Sequence, residues 1–199
     1  RITLQDITDK AQVYVANQSF SNALKILKKH NYVIIAGIPG IGKTTLANML
    51  VLHYLKANYD FIDISYDVSE AYSVPDRKGP RVYLYDDFLG RTAIDEKLRK
   101  NEDHRLFNFI SSLRKTKTSK LILTTREYIL RQAQTTYEIL NSPIFEKPQC
   151  IVDLSQYTRP IRAQILYNHL YFSQLPKKHI EEIVHQSAYY KIIDHPNYS

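Results

Sequence analysis

The octapeptide Gly37-Ile38-Pro39-Gly40-Ile41-Gly42-Lys43-Thr44 constrains this chain more than any other feature. It fills every fixed position of the pattern G-x-x-x-x-G-K-[ST] and lies between the apolar run Tyr32-Val33-Ile34-Ile35-Ala36 and a stretch of helix formers over residues 45–56. A short, continuous, β-rich apolar run suits a strand covered on both faces, as in a parallel sheet. The small residues after it let the backbone wrap around phosphate groups, so that consecutive N–H groups and the N-terminus of the following helix point at negative charge. Strand, loop and helix in that order predict a triphosphate site formed by Gly37, Ile38, Pro39, Gly40, Ile41, Gly42, Lys43, Thr44 and the adjoining Thr45. Lys43 is expected to bring a mobile ammonium to the β- and γ-phosphates. The Thr44 hydroxyl is expected in the coordination shell of Mg²⁺, which keeps waters and substrate oxygens beside few protein ligands.

Two further segments supply the groups that such a site needs. Val82-Tyr83-Leu84-Tyr85 is an extended run that ends in Asp86-Asp87. A carboxylate at a strand tip beside the loop can hold the metal directly or through water, the role expected of Asp86. The next acid points across the strand end and can orient or deprotonate an attacking water, which makes Asp87 the catalytic candidate. Asp63, at the end of another strand-like run with less apolar flanks, is the rival acid. Leu121-Ile122-Leu123-Thr124-Thr125-Arg126 brings a pair of hydroxyls and a guanidinium to the same sheet edge. Ligands of open α/β sheets lie beyond the carboxyl ends of the strands. Arg126 therefore fits two readings, a sensor of the γ-phosphate or a surface cap on the next helix.

Along the chain, Ser21 is expected to cap a helix that ends near His30, and further strands are expected over 59–64, 82–85, 121–124 and 149–153. Helices are expected over 105–113 and 127–134, with 94–103 as an exposed connection. Within 45–56, Leu46, Met49, Leu50 and 52–55 are expected to face inward. Strands alternating with helices predict a doubly wound α/β domain. After Leu154 the strand signals stop, and 159–172 and 177–187 read as two helices separated by Leu175-Pro176. The division is a linker over 1–19, a nucleotide-binding core over 20–154, and the start of a helical module over 155–199.

Composition narrows the class. The formal net charge is +7, and the one cysteine, Cys150, excludes an intrachain disulfide and a cysteine-based zinc site. A reducing cytoplasm is the expected location. No apolar run reaches the roughly 18 to 20 residues of a spanning helix, so no membrane association is expected. The chain begins at Arg1 and reads as a segment of a longer polypeptide. The basic clusters Lys28-Lys29-His30, Arg114-Lys115 with Lys117 and Lys120, and Lys177-Lys178-His179 fall at ends or edges of helical patterns. Cations there complement the helix dipole, and the same residues also suit a nucleic-acid surface. Direct nucleic-acid binding stays open at this point.

The loop, the run Tyr85-Asp86-Asp87-Phe88-Leu89-Gly90, the element Thr124-Thr125-Arg126-Glu127 and the stretch 157–176 with Arg162, Ile165, Leu166, Asn168, His169 and Leu170 resemble the STAND NTPases. Within that class the chain is similar to the novel STAND NTPase type three domain of bacterial multidomain defence proteins, including antiviral ones. The resemblance runs over residues 20–199. It implies an α/β P-loop NTPase fold of the AAA+/STAND type, with a parallel five-stranded sheet flanked by helices and followed by a small helical module. It also implies a slow ATPase with ATP or ADP and Mg²⁺ as cofactors, Lys43, Asp87 and Arg126 as catalytic residues, and Thr44 and Asp86 as metal ligands. Self-association of the full-length protein, effector and sensor domains in cis, and a phage protein as trigger are the partners it implies. His195-Pro196-Asn197-Tyr198-Ser199 resembles the opening of a further family segment. The alternatives are an AAA+-like ATPase driving a nucleic-acid-processing, restriction-type enzyme, and a nucleotide kinase.

Overall fold

A computed structural model of the chain describes residues 3–73, 79–90, 102–116, 118–136, 138–146, 148–152, 157–185, 187–195 and 198. In chain order the elements are α1 (Leu4–Val13), α2 (Gln18–His30), β1 (Tyr32–Gly37), α3 (Lys43–Leu55), β2 (Asp60–Asp63), a short 3-10 helix (Val68–Tyr72), β3 (Arg81–Tyr85), α4 (Glu102–Thr116), β4 (Lys120–Arg126), α5 (Glu127–Thr136), a second 3-10 turn (Glu138–Asn141), α6 (Pro143–Glu146), β5 (Gln149–Val152), α7 (Arg159–Phe172), α8 (Lys177–His185) and α9 (Ala188–Ile193). Every residue of β1 is buried, as its unbroken apolar character requires.

The five strands form one parallel sheet in the order β2-β3-β4-β1-β5. Alternation along the strands divides the core into two layers. Val33, Ile35, Val82, Leu84 and Ile122 face Leu27 of α2 and Leu46 and Leu50 of α3. Ile34, Tyr83, Leu121 and Leu123 face Leu106 and Ile110 of α4 and Ile129 and Leu130 of α5. Full burial of each such side chain contributes about 1.5 to 3 kcal/mol. All strand carboxyl ends therefore lie at one edge, and the helices return to the other. Among the described residues no helix is long and apolar enough to cross a membrane.

The structure corrects several boundaries. Where a linker was expected over 1–19, α1 folds with Thr3 and Asp6 in a capping box and packs against α3 and α7, its Ile7 fully buried in the core. Asn17, rather than Ser21, caps α2, its side chain accepting from the Ser19 N–H at 3.0 Å. α3 starts at Lys43 and is buried nearly all round: Ala47 and Val51 join the expected inward residues, while His53 is exposed. The helix expected over 177–187 stops at His185, and Ser187 takes a left-handed conformation (φ 52°) that starts α9. Of the expected connection 94–103, residues 94–101 lie outside the described residues, as does the expected division at 154.

Candidate functional site

The site is built at the carboxyl ends of β1, β3 and β4. Gly37 ends β1 against β5, where a Cβ would sit 2.5 Å from the Val152 carbonyl oxygen. Glycine is the residue that this approach admits. Gly40 and Gly42 hold positive φ of 79° and 90°, so the loop can turn back before α3 begins with Gly42 as its N-cap. Ile38, Pro39 and Gly40 are exposed at the loop tip, whereas Ile41 is anchored in the core.

Lys43 differs from the mobile ammonium expected of it. It is buried, and its Nζ donates to the carbonyl of Ile38 in its own loop at 2.9 Å. Burial holds the ammonium below the ordinary lysine range. The nearby charges of Asp87, then Arg126, then Asp86 act on it as well, the carboxylates raising its pKa and the guanidinium lowering it. Four of the expected site residues thus share one electrostatic neighbourhood.

Thr44 donates its hydroxyl to the Asp86 carboxylate, with Oγ1 3.1 Å from each carboxylate oxygen. Thr124 completes the arrangement. Its hydroxyl donates to Asp86 Oδ1 and accepts the Asp87 N–H at 2.9 Å, while its carbonyl accepts the Phe88 N–H at 3.1 Å. That clamp seats Asp87 in a left-handed turn (φ 50°) closed by the Gly90 N–H donating to the Asp87 carbonyl at 2.7 Å. Asp63 is elsewhere: β3 separates its strand from β4, and its carboxylate accepts from the Ser65 hydroxyl at 3.1 Å. Arg126 pairs in register with Gly37, next to the loop, but its guanidinium donates to the Tyr128 hydroxyl at 3.2 Å. Of the expected hydroxyl pair only Thr124 reaches the acids. Strand alternation turns Thr125 to the opposite face, where its buried hydroxyl has no partner.

Beside the loop opens a cavity of about 340 Å³ that the motifs do not announce. Its walls are Lys10 and Val13 of α1, Tyr14, Asn17 and Ser19 of the segment expected to be a linker, Gly40 and Gly42 of the loop, and Tyr157, His169 and Tyr198 from the helical region. The buried hydroxyls of Tyr14 and Ser19 have no hydrogen-bond partner, which fits a wall meant for a ligand with polar edges. Tyr157 joins the two sides of the cavity. Its hydroxyl donates to the Ile41 carbonyl of the loop at 2.6 Å, and its own carbonyl accepts from Arg162 Nε at 2.8 Å. Arg162 also donates to the Ile193 and His195 carbonyls and lies over the Tyr198 ring, so one arginine gathers the helical region behind the loop.

Chemically, the arrangement offers an exposed backbone cradle at a helix N-terminus, one lysine, a hydroxyl–carboxylate pair, a second carboxylate and an apolar cavity with polar edges. Among the described residues no group of three His, Cys, Asp or Glu side chains forms a metal cage. The Thr44–Asp86 pair suits a cation that retains much of its water.

A model of the Novel STAND NTPase 3 family matches residues 14–172, most of the chain. No curated protein matches it in sequence. Among solved structures it is similar to AMPPCP-bound DnaA from Aquifex aeolicus, with a TM-score of 0.55 and 16% identity over 93% of this chain and 64% of that one. It is also similar to the ORC2 protein of Aeropyrum pernix in its ADPNP–ADP complexes, with a TM-score of 0.52 and 13% identity over 83% of this chain and 55% of that one. The chain thus spans less than two thirds of the length of either. At these identities the likeness is one of fold, that of the AAA+/STAND type of P-loop NTPase.

Proposed function

We propose that this chain, which belongs to the novel STAND NTPase 3 family through the match over residues 14–172, is an ATP-binding and ATP-hydrolysing switch domain of a multidomain signal-transduction protein. The observation that carries the reading is the Thr44 hydroxyl bonded to both oxygens of Asp86 beside a buried Lys43 that feels Asp87 and Arg126. In this reading the loop N–H groups from Gly40 to Thr45 hold the α- and β-phosphates, and Lys43 leaves the Ile38 carbonyl for the β- and γ-phosphates. The base enters the cavity between α1 and Tyr157.

Thr44 and Asp86 are the residues to hold Mg²⁺, whose charge offsets that of the phosphates. Asp87 accepts a proton from water as the water oxygen attacks the γ-phosphorus, and the bond to the β,γ-bridging oxygen breaks to give ADP and phosphate. Arg126 exchanges Tyr128 for the γ-phosphate in the ATP form. A ligand shifts a domain arrangement only by the difference in its affinity for the two arrangements. The γ-phosphate supplies that difference in our reading: ADP favours a closed monomer, and ATP an open form that self-associates in the full-length protein. An effector activated in prokaryotic antiviral defence, with a phage protein as trigger and a cytoplasmic location, is the setting we propose for it.

The two carboxylates test this assignment. Asp87→Asn should keep nucleotide and slow single-turnover hydrolysis by about 10²- to 10⁴-fold, because an amide does not take up the proton. Asp86→Asn should weaken Mg²⁺-dependent nucleotide binding itself. Reversed behaviour of the two variants, read by calorimetry and phosphate release, contradicts the assignment.

A further inference from the structure

The edge of the sheet opposite the loop carries a second surface. In a parallel sheet the returning helices all end beside the strand amino ends, so the C-termini of α2 and α3 on one face and of α4 on the other share that edge. They bring Lys28, Lys29, Lys56, Arg114 and Lys115 to that edge, all exposed. Two observations place Lys28 and Lys56 together although they come from different helices. α2 packs against α3, and the imidazole of His53, exposed at its rim, is held below its ordinary range first by partial desolvation and then by the charges of those two lysines, with no carboxylate opposing them.

Helix-end cations are common, so the question is whether these have further use. None of the five makes an ion pair with an acid whose side chain is described. The third basic cluster behaves otherwise: Lys177 pairs with Glu181 at 3.5 Å and His179 with Glu182 at 3.6 Å. Of the acids on the strands and their connections whose side chains are described, Asp60 lies at the amino edge, whereas Asp63, Asp67, Glu70, Asp86, Asp87 and Glu127 lie toward the carboxyl edge. Among these described side chains the balance of charge at the amino edge is therefore positive. Lys120 takes no part in the surface, being buried with its Nζ on Asn31 Oδ1 at 2.6 Å.

The chemistry of the pole selects its partner. A protein interface wants an apolar or aromatic centre, and the exposed large apolar side chains of the described residues all lie elsewhere, on the loop tip, around the carboxyl edge and on the helical region. Single-stranded nucleic acid wants exposed aromatic platforms, and the same distribution supplies none here. Solvated cations gathered at one edge without either suit the phosphate backbone of a duplex. We propose that the amino-edge pole formed by α2, α3 and α4 binds the backbone of double-stranded nucleic acid without reading its sequence. This site is distinct from the nucleotide site and does not depend on it.

The test is fluorescence anisotropy of the chain with a labelled DNA duplex of about 20 base pairs and arbitrary sequence, at about 50 and 200 mM salt. About four phosphate contacts predict that affinity falls on the order of a hundredfold across that range. Lys28→Glu with Lys29→Glu should weaken binding at least about tenfold at low salt and flatten the salt dependence. Lys177→Glu with Lys178→Glu changes the net charge equally and should stay within about twofold of the parent, as should Lys43→Ala. Equal losses in both double variants, salt-insensitive binding, or no binding overturns the proposal. So does competition by poly-glutamate that matches an unlabelled duplex, which would identify an acidic polypeptide as the partner instead.

Discussion

Lys43 and Lys120 stand at opposite edges of one sheet, 8% and 7% exposed, and burial holds both below the ordinary lysine range. Their surroundings differ. At the amino edge burial acts on Lys120 with no charged group among the described residues beside it, and its ammonium, satisfied by the Asn31 side chain, ties the turn before β1 to β4. At the carboxyl edge Lys43 is set among Asp87, Arg126 and Asp86, and it is satisfied by its own loop. The same desolvation penalty thus accompanies a fixed polar clamp in one place and, in our proposal, a charge that exchanges its loop carbonyl for phosphate in the other. Perturbed lysines mark function when charged groups converge on them, and burial alone does not make that distinction.

The largest effect that sharpens this contrast is expected at the carboxyl edge, in adjacent threonines. Thr124→Val leaves the Asp87 N–H and the Asp86 carboxylate without their shared hydroxyl and should cost about 2 kcal/mol of stability. Thr125→Val removes a buried hydroxyl that has no partner and should change stability by less than about 0.5 kcal/mol or raise it. Urea denaturation of the two variants measures both, and equal costs would break the claim that one hydroxyl organises the acids.

A smaller effect belongs to Tyr157. Removing its hydroxyl in Tyr157→Phe leaves the Ile41 carbonyl of the loop unpaired, with an expected cost of about 1 kcal/mol and a several-fold loss of nucleotide affinity. The aromatic wall of the cavity stays in place, so Tyr157→Ala should lose more; affinities that do not separate the two variants would remove the hydroxyl from the account.

The smallest effect returns to the lysines themselves. Their folded pKa values lie below the unfolded one near 10.5, so between the two values the unfolded chain holds the extra protons and stability rises with pH. Below the folded values both states are protonated and the slope vanishes. Lys120→Met should remove its share of that rise just below pH 10.5, seen as a flatter series of urea midpoints than the parent's. An unchanged slope would show that burial does not perturb Lys120.

Much of this was legible in the sequence because it is local. The loop, the five strands, the acids closing β3 and Arg126 closing β4 each announce themselves through a pattern a few residues long, and the structure places them at one edge. What escaped depends on segments far apart in the chain. α1 is short and polar apart from residues such as Ile7, so it reads as a linker until α3 and α7 are there to cover it. Tyr14 and Ser19 become cavity walls only when they meet Tyr157 and Tyr198. The unequal threonines were within reach, since alternation along β4 already puts Thr124 and Thr125 on opposite faces.

Titration calorimetry of MgATP into the parent chain, Lys43→Ala and Lys120→Met tests the central claim most directly. Loss of charge-assisted contacts to two phosphates predicts a fall in affinity of about a hundredfold or more in Lys43→Ala and less than about twofold in Lys120→Met. Nucleotide binding that survives intact in Lys43→Ala, or that falls equally in both variants, contradicts it.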